Sequence, residues 1–409
     1  MNKIFQIIGA LFNSENYTLK NLAFFLIVIM CIQYIPLESR AGVSPIKVAT
    51  MAIMPLVFIT HFKASKAVGI AFIYILYIIY TAYFLHGSSF RASTVIYSFM
   101  FFLTYATFYN LIWVEQVFDM EEFLVFIKRF IYVLAGVLVV QQAFHLIGIR
   151  QFALLNMTQI LQRSILAGNS LSYEPSSLAR TLGVLYYAYL KCNEYKQGTP
   201  INIQQVFIKE HRWVTIAFGW AMLSMGSGTA FICLGVLSLY FMKGAYFILA
   251  IPIFIGVFFT LSYFEVKQFE RATSVVEATM TGDINEVRET DGSASRRIAP
   301  MLNTINELNF NKDETWFGHG VDYSYYVART KGIRKISVID DFGLIAYIIT
   351  LTLVFSCAIN FFSIATIMFF LGVGGGTDNI AYGWGLLMLL TCVKYFSQNH
   401  EEESSDDTL

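Results

Sequence analysis

The feature that most constrains this chain is a succession of apolar stretches from which charge disappears. Leu22 to Ile35, Ile70 to Leu85, Ile131 to Val140 and Phe247 to Leu261 hold no Asp, Glu, Lys or Arg. A helix needs about 20 such residues to cross the hydrocarbon core of a bilayer, and it satisfies its own backbone hydrogen bonds while doing so. Composition excludes a soluble domain. Of the 409 residues 56% are hydrophobic and 14% charged, with mean hydropathy +0.58, against about a quarter charged in soluble domains. The expectation is an all-α polytopic membrane protein.

Apolar windows between charged breaks predict about twelve spans, near 20–36, 46–62, 67–86, 93–114, 127–148, 176–191, 213–225, 228–242, 245–263, 342–358, 360–373 and 378–395. Gly226-Ser227-Gly228 reads as a hairpin or as a kink in one long helix. A hairpin is preferred, because 30 residues of helix would measure about 45 Å, more than the core requires. Counting Lys and Arg in short loops places Lys3, Lys20, Lys63, Lys66, Lys128, Arg129, Lys191, Lys196, Lys209, Arg212, Lys243 and Lys394 on one side, predicted to be cytoplasmic together with both termini, against Arg40, Lys47, Arg91, Arg150, Arg163 and Arg180 on the other. This divides the chain into membrane helices over 1–263 with an outer loop near 149–175, a large outer loop over 264–340, membrane helices over 341–396, and an acidic tail over 397–409 expected to be disordered.

The 264–340 loop has 77 residues and carries 22 of the chain's 28 basic and 28 acidic side chains. Trp316, Phe317, Tyr323, Tyr325 and Tyr326 predict that it is folded and docked. The net charge is zero, which leaves nucleic acid without support as a partner. Cys31, Cys192, Cys233, Cys357 and Cys392 lie in or beside apolar segments without metal-ligand spacing, so they read as core residues and no cofactor or metal is expected.

Three places could carry chemistry. Ser172-Tyr173-Glu174-Pro175-Ser176-Ser177-Leu178-Ala179-Arg180 leads into a helix, with Glu174 and Arg180 facing across its first turns at the membrane surface. The bland reading is a capped helix with a snorkelling arginine; the sharper one is a dock for a lipid-linked anion. Gly292 to Pro300 brings Arg296 and Arg297 ahead of a helical pattern, offering two forked donors and backbone N–H groups to a phosphate. A solvated basic pair, salted to Asp283, Glu286, Glu289 or Asp291, is the alternative. In Thr315 to Tyr323 two glycines flank His319; His319 or Asp322 could accept a sugar hydroxyl proton, and Trp316 or Tyr323 could stack on a pyranose. Asp340 and Asp341, at the entry to a span, could orient an arginine, although acidic residues at a helix start need no further reason.

Tyr173-Glu174-Pro175-Ser176, Leu223-Ser224-Met225-Gly226-Ser227-Gly228, Phe317-Gly318-His319-Gly320 and Asp341-Phe342-Gly343-Leu344-Ile345 together resemble segments of the bacterial O-antigen and capsule polysaccharide polymerases of the Wzy type, within the wider O-antigen polymerase and ligase group. Two departures are visible. Gly228 stands where an arginine commonly follows the serine. Lys335-Ile336-Ser337 stands where ligases tend to carry a histidine, which favours polymerase over ligase. The resemblance implies a GT-C-like glycosyltransferase frame in the bacterial inner membrane. It implies inverting, metal-independent transfer of a growing glycan from undecaprenyl pyrophosphate to a lipid-linked repeat unit at the periplasmic face, with a Wzz-type chain-length regulator as partner. In that scheme Arg180, Arg296 and Arg297, with Arg163, Arg271 and Arg288 in reserve, stabilise the leaving pyrophosphate, and Glu174 or His319 is the base. A lipid-linked oligosaccharide flippase is the rival of another class.

Overall fold

The computed structural model describes residues 15–36, 44–87, 91–157, 166–208, 210–242, 292–373 and 381–406. Among them the regular structure is helical, with one isolated bridge between Phe152 and Met157 and no strand. The protein is an all-α membrane protein: among the described residues four helices are long and apolar enough to cross a bilayer, α3 (Lys66–Leu85), α4 (Ala92–Trp113), α5 (Met120–Leu146) and α13 (Ser337–Ala358). The other described helices are α1 (Glu15–Cys31), α2 (Pro45–Thr60), α6 (Pro175–Gln197), α7 (Ile203–Ile208), α8 (Arg212–Ser224), α9 (Gly228–Phe241), α10 (Gly292–Glu307), α11 (Asp313–Phe317), α12 (Tyr323–Thr330), α14 (Ile364–Val373) and α15 (Ala381–Asp406). The expected span 245–263 lies outside the described residues.

Local signals explain the boundaries. Asp119 and Glu122 form a reciprocal capping box that starts α5 seven residues before the apolar window does. Pro175 at the first position starts α6, and Gly198 in the left-handed region ends it. The 212–241 region is two helices, broken at Met225-Gly226-Ser227. Beyond Lys394 no glycine or proline stops α15, so it continues to Asp406 and the tail expected to be disordered is helical over 397–406.

The core is built on aromatic and aliphatic packing around Trp384, fully buried against Phe101, Phe102 and Tyr105 of α4. Helix α6 is buried along most of its length and packs against α5, α9, α14 and α15. Specific pairs fix which helix ends lie together. Phe396 of α15 meets Phe118 and Phe123 beside the start of α5, while Gly385 meets Cys31 at the end of α1. Lys196 pairs with Glu121 at 2.7 Å, and Lys66 covers Trp113, which in turn meets Tyr395. One end of the bundle therefore collects Lys20, Lys66, Lys196 and Lys394. The opposite end collects the starts of α4, α6, α13 and α15.

The 149–175 connection is more than an outer loop, because its second half turns inward. Ser170 Oγ donates to the carbonyl of Leu134, near the middle of α5, at 2.8 Å, and Gln141 Oε1 accepts the N–H groups of Asn169 and Ser170 at 3.1 and 2.9 Å. Asn156 Nδ2 donates to the carbonyls of Ser170 and Ser172. Non-helical backbone inside a membrane bundle needs such protein partners, since hydrocarbon supplies none.

At the lysine-rich end, His211 is 4% exposed and Tyr189 Oη lies 2.7 Å from its Nδ1. Burial pushes the His211 pKa below the ordinary histidine value; Glu210 opposes this and Lys128 adds to it. Protonation therefore opposes the folded state, so stability present above about pH 6.5 is expected to fall as pH drops through 6.5 towards the lower folded value. Melting temperatures of the purified protein between pH 7.5 and 5 should show this decline, and His211→Asn should flatten it.

Candidate functional site

The 313–343 region folds as two short helices laid against the entry to α13, and two glycines make this possible. A Cβ on Gly318 would lie 2.3 Å from the carbonyl oxygen of Asp341, and one on Gly343 would lie 2.1 Å from that of Trp316. Both have positive φ, +76° and +85°, and the helical path of α13 breaks at Gly343. The two backbones thus cross at a separation that only hydrogen side chains permit. Tyr77 of α3 fastens the crossing, its hydroxyl donating to the carbonyls of Trp316 at 3.1 Å and Phe342 at 2.9 Å.

The crossing sets up His319. Its backbone N–H donates to the carbonyl of Asp340 at 3.0 Å and that of Gly320 to the carbonyl of Asp341 at 3.0 Å. His319 Nδ1 lies 3.1 Å from the same Asp340 carbonyl oxygen and 3.7 Å from the Asp340 carboxylate. A carbonyl oxygen only accepts, so this contact requires the proton on Nδ1 and leaves Nε2 as the acceptor of a neutral imidazole. The His319 and Tyr323 rings stack with centroids 4.3 Å apart.

Asp340 and Asp341 are both buried, and their partners among the described residues include a lysine and a backbone N–H. Asp340 Oδ1 accepts Lys335 Nζ at 3.0 Å while Lys335 also meets Glu307 at 2.8 Å; Asp341 Oδ1 accepts the Ser324 N–H at 2.7 Å. Asp340 Oδ2 is buried without a hydrogen bond among the described residues. Burial lowers the pKa of Lys335, but the hydrogen bonds and charges of Glu307 and Asp340 outweigh it and raise the ammonium above the ordinary lysine value.

Other predicted residues take different places. Asp322 adopts the left-handed conformation and its carboxylate accepts Arg91 at 2.9 Å and Thr94 at 3.1 Å, both from the start of α4. These contacts join the 313–343 region to the start of α4, so Asp322 tethers the loop. Trp316 donates its indole N–H to the carbonyl of Phe310 at 3.0 Å and packs on that ring, away from His319. Arg296 and Arg297 fall within α10, which starts at Gly292, and not ahead of it; their N–H groups come after the first four of the helix. The side chains of Arg296 and Arg297, and all of Arg163, Arg271 and Arg288, lie outside the described part of the structure.

Glu174 is the exposed N-cap of α6 and accepts the Ser176 hydroxyl at 3.2 Å. Arg180 donates to the Ser176 carbonyl, the Ser177 hydroxyl and, at 3.4 Å, the Leu371 carbonyl, with its guanidinium 5.4 Å from the Tyr382 ring. The α6 cluster and the His319 cluster share one end of the bundle, the end opposite the lysines, but they are built on different helices. His319, Asp322 and Tyr323 come together; Arg180 and Glu174 form the other group. Among the described residues no set of three or more His, Cys, Asp or Glu side chains could hold a metal ion.

No family model, curated protein or solved structure matches this chain. The functional reading therefore rests on the site's own chemistry and on the segments quoted from the sequence.

Proposed function

We propose that the protein is a polysaccharide polymerase of a bacterial inner membrane. It would move a growing glycan from undecaprenyl pyrophosphate onto a hydroxyl of a lipid-linked repeat unit at the periplasmic face. The reading includes about twelve spans, both termini in the cytoplasm and a Wzz-type regulator as partner. The observation that carries it is the presence, at one end of the bundle, of a histidine held with a free acceptor nitrogen and, in a separate cluster, of an arginine at a helix start, while the lysines gather at the other end.

In this scheme His319 Nε2 takes the proton of the acceptor hydroxyl as its oxygen attacks the anomeric carbon. The bond from that carbon to the pyrophosphate oxygen breaks, and Arg180, with Arg163, Arg296 and Arg297, stabilises the anion released. Such stabilisation strengthens where water is excluded. Glu174 remains the alternative base.

Genetic complementation with glycan-length profiling tests the reading. Loss of a polymerase leaves surface lipid capped with a single repeat, loss of a ligase leaves none attached, and loss of a flippase strands intermediates inside. Arg296→Ala with Arg297→Ala, and His319→Gln separately, are expected to give the single-repeat pattern at normal protein level. Long chains in both variants would refute the assigned roles.

A further inference from the structure

A groove of about 480 Å³ opens beside His319. Its walls carry Tyr323, Tyr325 and Tyr326, and the last two are 64% and 60% exposed. An exposed tyrosine offers a flat apolar face and a polar edge, the combination that suits a pyranose ring with its C–H face and its hydroxyl rim. Arg329 lies three and four residues after Tyr326 and Tyr325 on α12, which puts the three side chains on one side of the helix.

Charge then selects among sugars. The acidic group that lines the groove, Asp322, is occupied by Arg91 and Thr94. Arg329 is exposed and forms no ion pair among the described residues. The groove thus presents one uncompensated guanidinium, which donates in a planar fork matched to a carboxylate. From this juxtaposition of three tyrosines, Arg329 and a neutralised Asp322 we propose that the groove binds an acidic glycan, one whose repeat carries a uronic acid or equivalent carboxylate, with that carboxylate on Arg329. The inference rests on the glycan-transfer reading and names its substrate class.

The test uses the full chain purified in detergent, with trigalacturonate and neutral galactotriose as probes in a direct binding titration. Trigalacturonate is expected to bind about tenfold or more tighter, the effect of one charge-assisted hydrogen-bonded pair. That preference should shrink as salt rises. Arg329→Gln should abolish the preference while leaving weak binding of galactotriose, Arg329→Lys should keep part of it, and Tyr325→Ala with Tyr326→Ala should weaken both sugars. Equal affinity for the two trisaccharides, or a preference that survives Arg329→Gln, overturns the acidic class and leaves the transfer reading standing. If neither sugar binds although complementation succeeds, the groove is not the glycan site and the proposal alone falls. If complementation fails as well, both fall. Should the tyrosine variants reduce only retention on phosphatidylglycerol vesicles, the aromatics belong to the bilayer interface and the proposal is again overturned.

Discussion

Replacing Gly343 by alanine is expected to undock the 313–323 segment from α13. The new Cβ would meet the Trp316 carbonyl oxygen at 2.1 Å, and the residue must also hold φ at +85°. Backbone strain at positive φ costs about 1–3 kcal/mol and forced overpacking about 1–3 more, so a loss of about 3 kcal/mol or more in local stability follows. The neighbouring atoms are backbone, which cannot rotate aside as a side chain end would. Gly318→Ala meets the Asp341 carbonyl at 2.3 Å and should behave alike. Because both substitutions open the same crossing, the double variant should be scarcely worse than either single one, a strong departure from additivity. Tyr77→Phe, which removes one hydroxyl from two carbonyls, should be milder at about 1–2 kcal/mol. Limited proteolysis within 313–336, read beside the melting temperature, measures each effect. A Gly343→Ala protein whose loop resists protease as well as the natural chain does would overturn the account.

The crossing also marks where reading from sequence stops. Apolar runs and Pro175 are local signals, so α3, α4, α6 and the body of α5 can be read directly, whereas the start of α5 is set by the capping box at Asp119, outside the apolar run. The break at Gly226 and the docking of the aromatic loop were legible for the same reason. The fact that Gly318 and Gly343, 25 positions apart, meet backbone to backbone is tertiary, and nothing in either neighbourhood states it. A helix start explains Asp340 and Asp341 locally, which hides their burial, because that comes from the segment docked on top of them. The available signal was Lys335, a basic residue five positions before Asp340 at the edge of an apolar span. The tie of Asp322 to Arg91 is likewise tertiary, the two lying 231 residues apart. Gly292-Ser293-Ala294-Ser295 and the two arginines read as preceding the helix, yet small residues also serve as a helix first turn, and the helix begins there.

Removing Lys335 is expected to do more harm than removing the carboxylate it meets, and the asymmetry follows from burial. Asp340 is 3% exposed at its side chain and its Oδ2 already lacks a hydrogen bond among the described residues, so Lys335→Met would leave an uncompensated buried anion. Breaking a buried pair this way costs about 3–5 kcal/mol. Asp340→Asn leaves Lys335 its bond to Glu307, which is 55% exposed, and should cost about 1–2 kcal/mol. Combining the two substitutions removes both charges and should recover most of the Lys335→Met loss. Alkaline titration adds a sign. The raised pKa of Lys335 means its contribution is complete below the ordinary lysine value of about 10.5 and is lost only as pH rises through the higher folded value. Natural protein should therefore lose stability at that alkaline step, and Lys335→Met should not. Since the Asp340 carbonyl holds both donors of His319, on the proposed function the same loss should lower the proposed transfer activity in proportion to the undocked fraction, and the double variant should restore the two together. Recovery of stability without recovery of activity would mean that the charges of Lys335 or Asp340 take part in the chemistry directly.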